Sequence, residues 1–136
     1  MDVKTDALCS SAARRKVLVV EDEAIIAMHM EKILRSRGCE IAGLVASGEE
    51  SIAQAERLQP DLVFMDIGLK GSIDGFEAGR QIRSRFHIPV VFLTSHGEDI
   101  IPDPPAAKSD FPRVLKPFEE HEIEGVLRRF LPGFSY

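Results

Sequence analysis

Four apolar runs in this sequence stop abruptly on groups that can do chemistry. Lys16-Val17-Leu18-Val19-Val20 runs into Glu21-Asp22-Glu23, and Asp61-Leu62-Val63-Phe64-Met65 runs into Asp66. Pro89-Val90-Val91-Phe92-Leu93 ends on Thr94, and Val114-Leu115 ends on Lys116. Held close together, carboxylates from the first and second of these runs repel one another. A hard divalent cation relieves that repulsion. Magnesium suits such a site because it takes oxygen ligands, keeps several waters and shares its coordination with phosphate oxygens. A carboxylate can also attack a phosphoryl group and form an acyl phosphate. A lysine and a hydroxyl can neutralise and hydrogen-bond the phosphoryl oxygens. Together the set could carry out phosphoryl transfer to an aspartate.

Each residue also has a bland reading. Glu21-Asp22-Glu23 can cap the following helix and complement its dipole. Asp66 can be a loop aspartate, Thr94 a strand-end hydroxyl bonded to backbone, and Lys116 a solvated lysine before Pro117. The joint occurrence, at four strand ends in order, favours the chemical reading.

The elements that must position these groups are legible as alternating strands and helices. Short, β-branched apolar runs suit strands buried on both faces. Between them, Ala24 to Arg37 reads as a helix with Ile26, Met30, Ile33 and Leu34 at helical spacing, stopped by Gly38. Ile41 to Val45 is a further strand, and Gly48 to Leu58 a helix punctuated by Pro60. A loop from Ile67 to Gly75 feeds a helix over Phe76–Phe86, and Phe118 to Phe130 closes the chain. Pro102, Pro104, Pro105 and Pro112 make a full helix improbable between Gly97 and Pro112. Such alternation means β-α-β crossovers and a parallel sheet with helices on both faces. Ligands of these sheets sit outside the carboxyl ends of the strands, where the five polar groups would converge.

The chain has 136 residues, with 17 Lys+Arg against 22 Asp+Glu and a net charge of −5. That suits one domain with one sizeable core and argues against a dedicated nucleic-acid binder, which concentrates Lys and Arg. Residues 1–14 are expected to be a disordered leader, 15–132 the domain and 133–136 a short tail. Cys9 and Cys39 make neither a disulfide framework nor a zinc site and read as reduced thiols. No apolar run is long enough to span a membrane and no secretory signal opens the chain, so a cytoplasmic protein is expected. His29, His87, His96 and His121 lack ligand spacing and suit surface or cap roles.

The sequence resembles the response-regulator receiver domain of two-component signalling. The matching pieces are Val17-Leu-Val-Val-Glu-Asp-Glu23, Pro60-Asp-Leu-Val-Phe-Met-Asp-Ile67, Asp74-Gly-Phe-Glu-Ala78, Ile88-Pro-Val-Val-Phe-Leu-Thr-Ser95 and Leu115-Lys-Pro-Phe118. The resemblance implies a flavodoxin-like, doubly wound five-stranded parallel sheet of order 2-1-3-4-5, with the fourth helix shortened or replaced by the Pro-rich loop. It implies Asp66 as phosphoacceptor and Mg2+ as cofactor. Asp22 and Asp66 would bind the metal directly, with the backbone carbonyl of Gly68 as a further ligand and Glu21 acting mostly through metal-bound water. Thr94 would be the switch hydroxyl, Lys116 the phosphoryl-binding lysine, and Lys116-Pro117 a cis peptide. Ser95 matches the small residue after the threonine.

One departure is notable. Receivers carry an aromatic switch residue three positions before the lysine, where this chain has Arg113, with Phe111 two residues off. Incomplete coupling between phosphorylation and the loop after the fourth strand is therefore expected.

The implied partners are a histidine kinase or histidine phosphotransfer protein and a downstream protein target, with no nucleic acid and no membrane. Such a protein catalyses its own phosphorylation and slow dephosphorylation without being a metabolic enzyme. The short stretch after Phe130 suggests a stand-alone receiver. A phosphorylation-independent binding module is the alternative. An aspartyl phosphatase would need a second carboxylate two residues after Asp66, where Gly68 stands. A flavodoxin would need a phosphate loop where Glu21-Asp22-Glu23 would repel the phosphate.

Overall fold

The computed structural model describes residues 15–69, 71–95, 112–131 and 133. Among the described residues nine elements follow in order: β1 (Lys16–Val20), α1 (Ala24–Ser36), β2 (Glu40–Val45), α2 (Gly48–Leu58), β3 (Leu62–Asp66), α3 (Gly75–Phe86), β4 (Val90–Ser95), β5 (Arg113–Lys116) and α4 (Glu120–Phe130). The expected leader, His96, Phe111 and the Pro-rich stretch over 97–111 lie outside the described residues.

All strand pairs are parallel, and the sheet order is β2-β1-β3-β4-β5. This is the flavodoxin-like, doubly wound arrangement. Successive strand residues point to opposite faces, so each apolar run feeds two cores. Val17, Val19, Leu62, Phe64, Val91 and Leu93 pack on the face covered by α1 and α4, with Met30, Leu34, Ile123 and Leu127. Leu18, Val20, Val63, Met65, Val90 and Phe92 pack on the other face, with Ala55 of α2 and Ala78 and Ile82 of α3. Burial on both faces explains why β1 and β3 read as continuous apolar runs instead of alternating ones.

The helix ends follow local chemistry. Ser47 and Asp74 cap α2 and α3 by accepting from the amides of Glu50 and Glu77 at 3.1 and 2.8 Å. Gly38, with φ of 85°, follows α1 in the left-handed conformation expected of a C-terminal stop. The closing helix starts at Glu120, not at Phe118. Glu119 and Glu122 form a capping box at its start, while Phe118 is buried in the core ahead of it. The Lys116–Pro117 peptide is cis. Arg37, just past α1, bridges to Glu120 and Glu124 of α4 at 3.0 and 3.4 Å, tying the two helices of one face together. His87 caps α3 in a left-handed conformation. Cys39 is a free, buried thiol, pushed up to about 11 by burial.

The helix α3 sits close to the sheet at Gly79, where a Cβ would lie 2.7 Å from two ring atoms of Phe92. Gly79→Ala is expected to overpack this contact and cost about 1–3 kcal/mol. Urea unfolding checks this, and a midpoint equal to wild type would refute it.

Candidate functional site

The carboxyl ends of β1, β3, β4 and β5 form one rim. At the end of β1, the Glu21 amide donates to the Val45 carbonyl at 2.9 Å, which continues the pairing with β2 one residue beyond the strand. Glu21 is 4% exposed there, whereas Asp22 is exposed. The Glu23 amide donates to Glu21 Oε2 at 3.1 Å. Asp66 closes the central strand β3 and is also buried. The turn that follows folds back on it, with the Gly68 amide donating to Asp66 Oδ1 at 3.0 Å.

Oxygens of Glu21, Asp22 and Asp66 lie within 4.8 Å of one another. Lys116, from the end of β5, reaches across β4 to place Nζ 3.3 Å from Glu21 Oε1 and 3.4 Å from Asp66 Oδ1. Thr94, near the end of β4, is fully buried. Its Oγ1 has no hydrogen-bond partner among the described residues. A buried hydroxyl left unpaired costs about 1–3 kcal/mol, so an acceptor arriving at the rim would be stabilised by it. The five polar residues expected at the strand ends are thus brought to one rim, with Lys116 joining the ends of β1 and β3. Gly68 lies in the adjoining turn, and Arg113 is exposed at the start of β5.

The charges are unbalanced, since three carboxylates face one ammonium. Burial, then the charge of Asp66, pushes the Glu21 carboxyl up to about 7, against the opposing pull of the Glu23 amide and Lys116. For Lys116, burial alone would lower its value. The Asp66 and Glu21 carboxylates outweigh that and hold it above the ordinary lysine range. A small hard cation among these oxygens would relieve the strain on Glu21, so the donor set fits magnesium.

The metal-free protein should lose stability as pH rises from about 4.5 to about 7. The folded state keeps a proton on Glu21 that the unfolded chain releases near its ordinary 4.5. The folded state therefore binds more protons between those values, and stability falls as pH rises through that window. Thermal melts in chelator from pH 4.5 to 8 should show this contribution decline and level off above about 7. Adding magnesium at pH 8 should reverse it. A Glu21→Gln variant that retains the same decline would refute the assignment to Glu21.

Beside the rim, a cavity of about 240 Å³ opens between α1 and the Pro117–Phe118 segment. His29 stacks on Phe118 at 5.2 Å there. On the same helix, Ile25 and Met28 are 82% and 62% exposed. The expected site residues include neither of this pair, and Gly75 enters only within the matching piece Asp74-Gly-Phe-Glu-Ala78. The amphipathic pattern of α1 could have flagged the first pair, since both depart from its buried stripe.

The fold is a doubly wound α/β domain with a buried, lysine-bridged acidic cluster at the carboxyl rim of its sheet. The family model described as the response regulator receiver domain matches residues 17–128. The chain belongs to that family, which places it in two-component signalling. It is 36% identical over 119 residues to the transcriptional regulatory protein PdtaR of Mycobacterium tuberculosis, covering 88% of this chain and 57% of PdtaR. It is 34% identical over 119 residues to the transcriptional regulatory protein AfsQ1 of Streptomyces coelicolor, covering 83% of this chain and 51% of AfsQ1. The chain therefore spans a little over half the length of these relatives.

Among solved structures, the receiver domain of PhyR from Erythrobacter litoralis superposes with a TM-score of 0.75 at 29% identity, covering 93% of this chain and 96% of that one. The receiver domain of the sensor histidine kinase PA1611 from Pseudomonas aeruginosa superposes with a TM-score of 0.71 at 29% identity, covering 87% and 98%. That structure carries a magnesium ion coordinated in its active-site cleft. No helix among the described residues is long and apolar enough to cross a membrane.

Proposed function

We propose that residues 15–132 act as a phosphoacceptor receiver that takes a phosphoryl group onto Asp66 and signals through protein contacts. The observation that carries this reading is the convergence of Glu21, Asp22 and Asp66 within 4.8 Å, with Lys116 bridging Glu21 and Asp66. The donor would be a phosphohistidine of a histidine kinase or a histidine phosphotransfer protein. The Asp66 carboxylate attacks phosphorus, a P–O bond forms, the P–N bond breaks and the imidazole leaves with the bonding pair.

Asp22, Asp66 and the Gly68 carbonyl would hold Mg2+, with Glu21 acting mostly through water. The ion in the related PA1611 receiver supports this. When bound, Mg2+ supplies charge neutralisation to the phosphoryl oxygens. Lys116 exchanges part of its ion pair with Asp66 for a phosphoryl oxygen. Thr94 Oγ1, without a partner among the described residues, donates to another. Phosphorylation adds about −1.5 to −2 charge, which gives both groups a new acceptor. The exposed Ile25 and Met28 beside the rim support a protein as partner, and a cytoplasmic site of action accords with a kinase donor.

The test is intact mass after incubation with acetyl phosphate, with and without magnesium. A magnesium-dependent gain of one phosphoryl group is expected. If neither acetyl phosphate nor a phosphorylated histidine phosphotransfer protein modifies the chain, the phosphoacceptor reading fails. A binding module that works without phosphorylation then replaces it.

A further inference from the structure

We infer that Gly75 is a positioning residue for Asp66: lacking a side chain, it lets the first turn of α3 seat directly against the Asp66–Ile67 backbone and fix the carboxylate at the rim. The inference rests on the reading of Asp66 as phosphoacceptor and metal ligand.

A Cβ at position 75 would lie 2.0 Å from the Asp66 carbonyl oxygen, 2.8 Å from Ile67 Cα and 2.9 Å from the Asp66 carbonyl carbon. All three are backbone atoms and cannot rotate aside. The two sides of the contact are also fastened. The Ile67 amide donates to the Leu93 carbonyl of β4 at 3.0 Å, and the Gly68 amide holds Asp66 Oδ1. On the helix side, Asp74 caps α3 through the Glu77 amide, and Ala78 and Ile82 are fully buried against the sheet. The segment before the helix is hemmed in as well, since a Cβ at Gly48 would lie 2.9 Å from the Ile73 carbonyl oxygen.

With the helix body and its preceding segment both held, an added methyl displaces the short turn that carries Asp66 Oδ1 and the Gly68 carbonyl. The demand is local to this glycine. At Gly68 a Cβ would meet only Asp66 Oδ1, at 3.6 Å. At Gly79 the obstruction is the Phe92 ring and a Val90 methyl, which lie in the core and not in the turn.

Calorimetric titration with magnesium alone separates positioning from simple destabilisation. Gly75→Ala should lose about 10- to 100-fold in magnesium affinity, the range seen when groups supporting metal ligands are disturbed. Gly79→Ala should keep wild-type affinity while melting at lower temperature. Asp74→Ala removes the cap that holds the first turn without adding an atom at the contact. It should weaken magnesium binding in the same direction by a smaller factor, and it carries the test if Gly75→Ala does not fold.

Wild-type affinity in a folded Gly75→Ala overturns the inference, and so does an equal loss in Gly79→Ala. If Gly75→Ala is unfolded, wild-type affinity in Asp74→Ala overturns it. Absence of magnesium binding by the wild-type chain overturns the metal-site reading itself, and the inference with it.

Discussion

Asp66→Asn should take up no phosphoryl group from acetyl phosphate in the presence of magnesium, while the wild-type chain gains one. An amide nitrogen or oxygen is a poor nucleophile toward phosphorus beside the carboxylate it replaces, so loss of uptake should be complete on the timescale of wild-type modification. Misfolding would not explain the loss. The substitution conserves volume in a buried position, and the side-chain oxygen can still accept from the Gly68 amide as Oδ1 does now at 3.0 Å.

The electrostatics favour the variant's fold at neutral pH. Asp66 is one of the two causes that raise the Glu21 carboxyl, after burial. Removing its charge lets Glu21 ionise more readily and pair with Lys116, so melting at pH 8 should hold or rise. Magnesium should bind more weakly, since one anionic ligand is gone. Persistent uptake by Asp66→Asn would place the acceptor at another residue. Uptake lost together with a collapsed melt would leave the fold, not the chemistry, as the cause.

Lys116→Met should have two opposed effects. The ammonium sits between Glu21 and Asp66 with only 9% of its side chain exposed. Removing one member of a buried ion pair costs about 3–5 kcal/mol because the remaining charge is left uncompensated. Here Glu21 offers an escape. Lys116 is one of the groups that hold its carboxyl down, so without the lysine Glu21 takes up a proton more readily. The variant should therefore lose most stability above pH 7 and progressively less toward pH 5, a steeper decline with rising pH than in wild type.

Magnesium affinity should rise in the same variant, because the cation no longer shares the pocket with an ammonium. Urea unfolding at pH 5 and pH 8, each with and without magnesium, measures both effects. An equal loss at the two pH values would assign the role of Lys116 to packing of its stem. Unchanged or weaker magnesium binding would remove the competition argument.

The central strands and the membership of the site were legible because their signals are local. Burial on both faces forces unbroken apolar runs at β1, β3 and β4, and parallel crossovers oblige every strand to end on the same rim. Glu21, Asp22, Asp66, Thr94 and Lys116 could thus be placed together from their positions after those runs. The helix starts were less exact where a buried side chain precedes the cap, as Phe118 precedes Glu119.

The tertiary structure decided what each group experiences. Glu21 and Asp22 are neighbours of like charge, yet one is buried and the other exposed. The Glu21 amide bonds the Val45 carbonyl and its carboxylate pairs with Lys116, contacts across strands that no local pattern encodes. Lys116 reaches Glu21 and Asp66 over separations of 95 and 50 residues. The requirement for glycine at position 75 comes from the backbone of Asp66 and Ile67, not from its own neighbours. Spacing along a strand fixes which end a residue occupies. Only packing between elements sets distance and burial, and these give the Glu21 carboxyl its raised proton affinity.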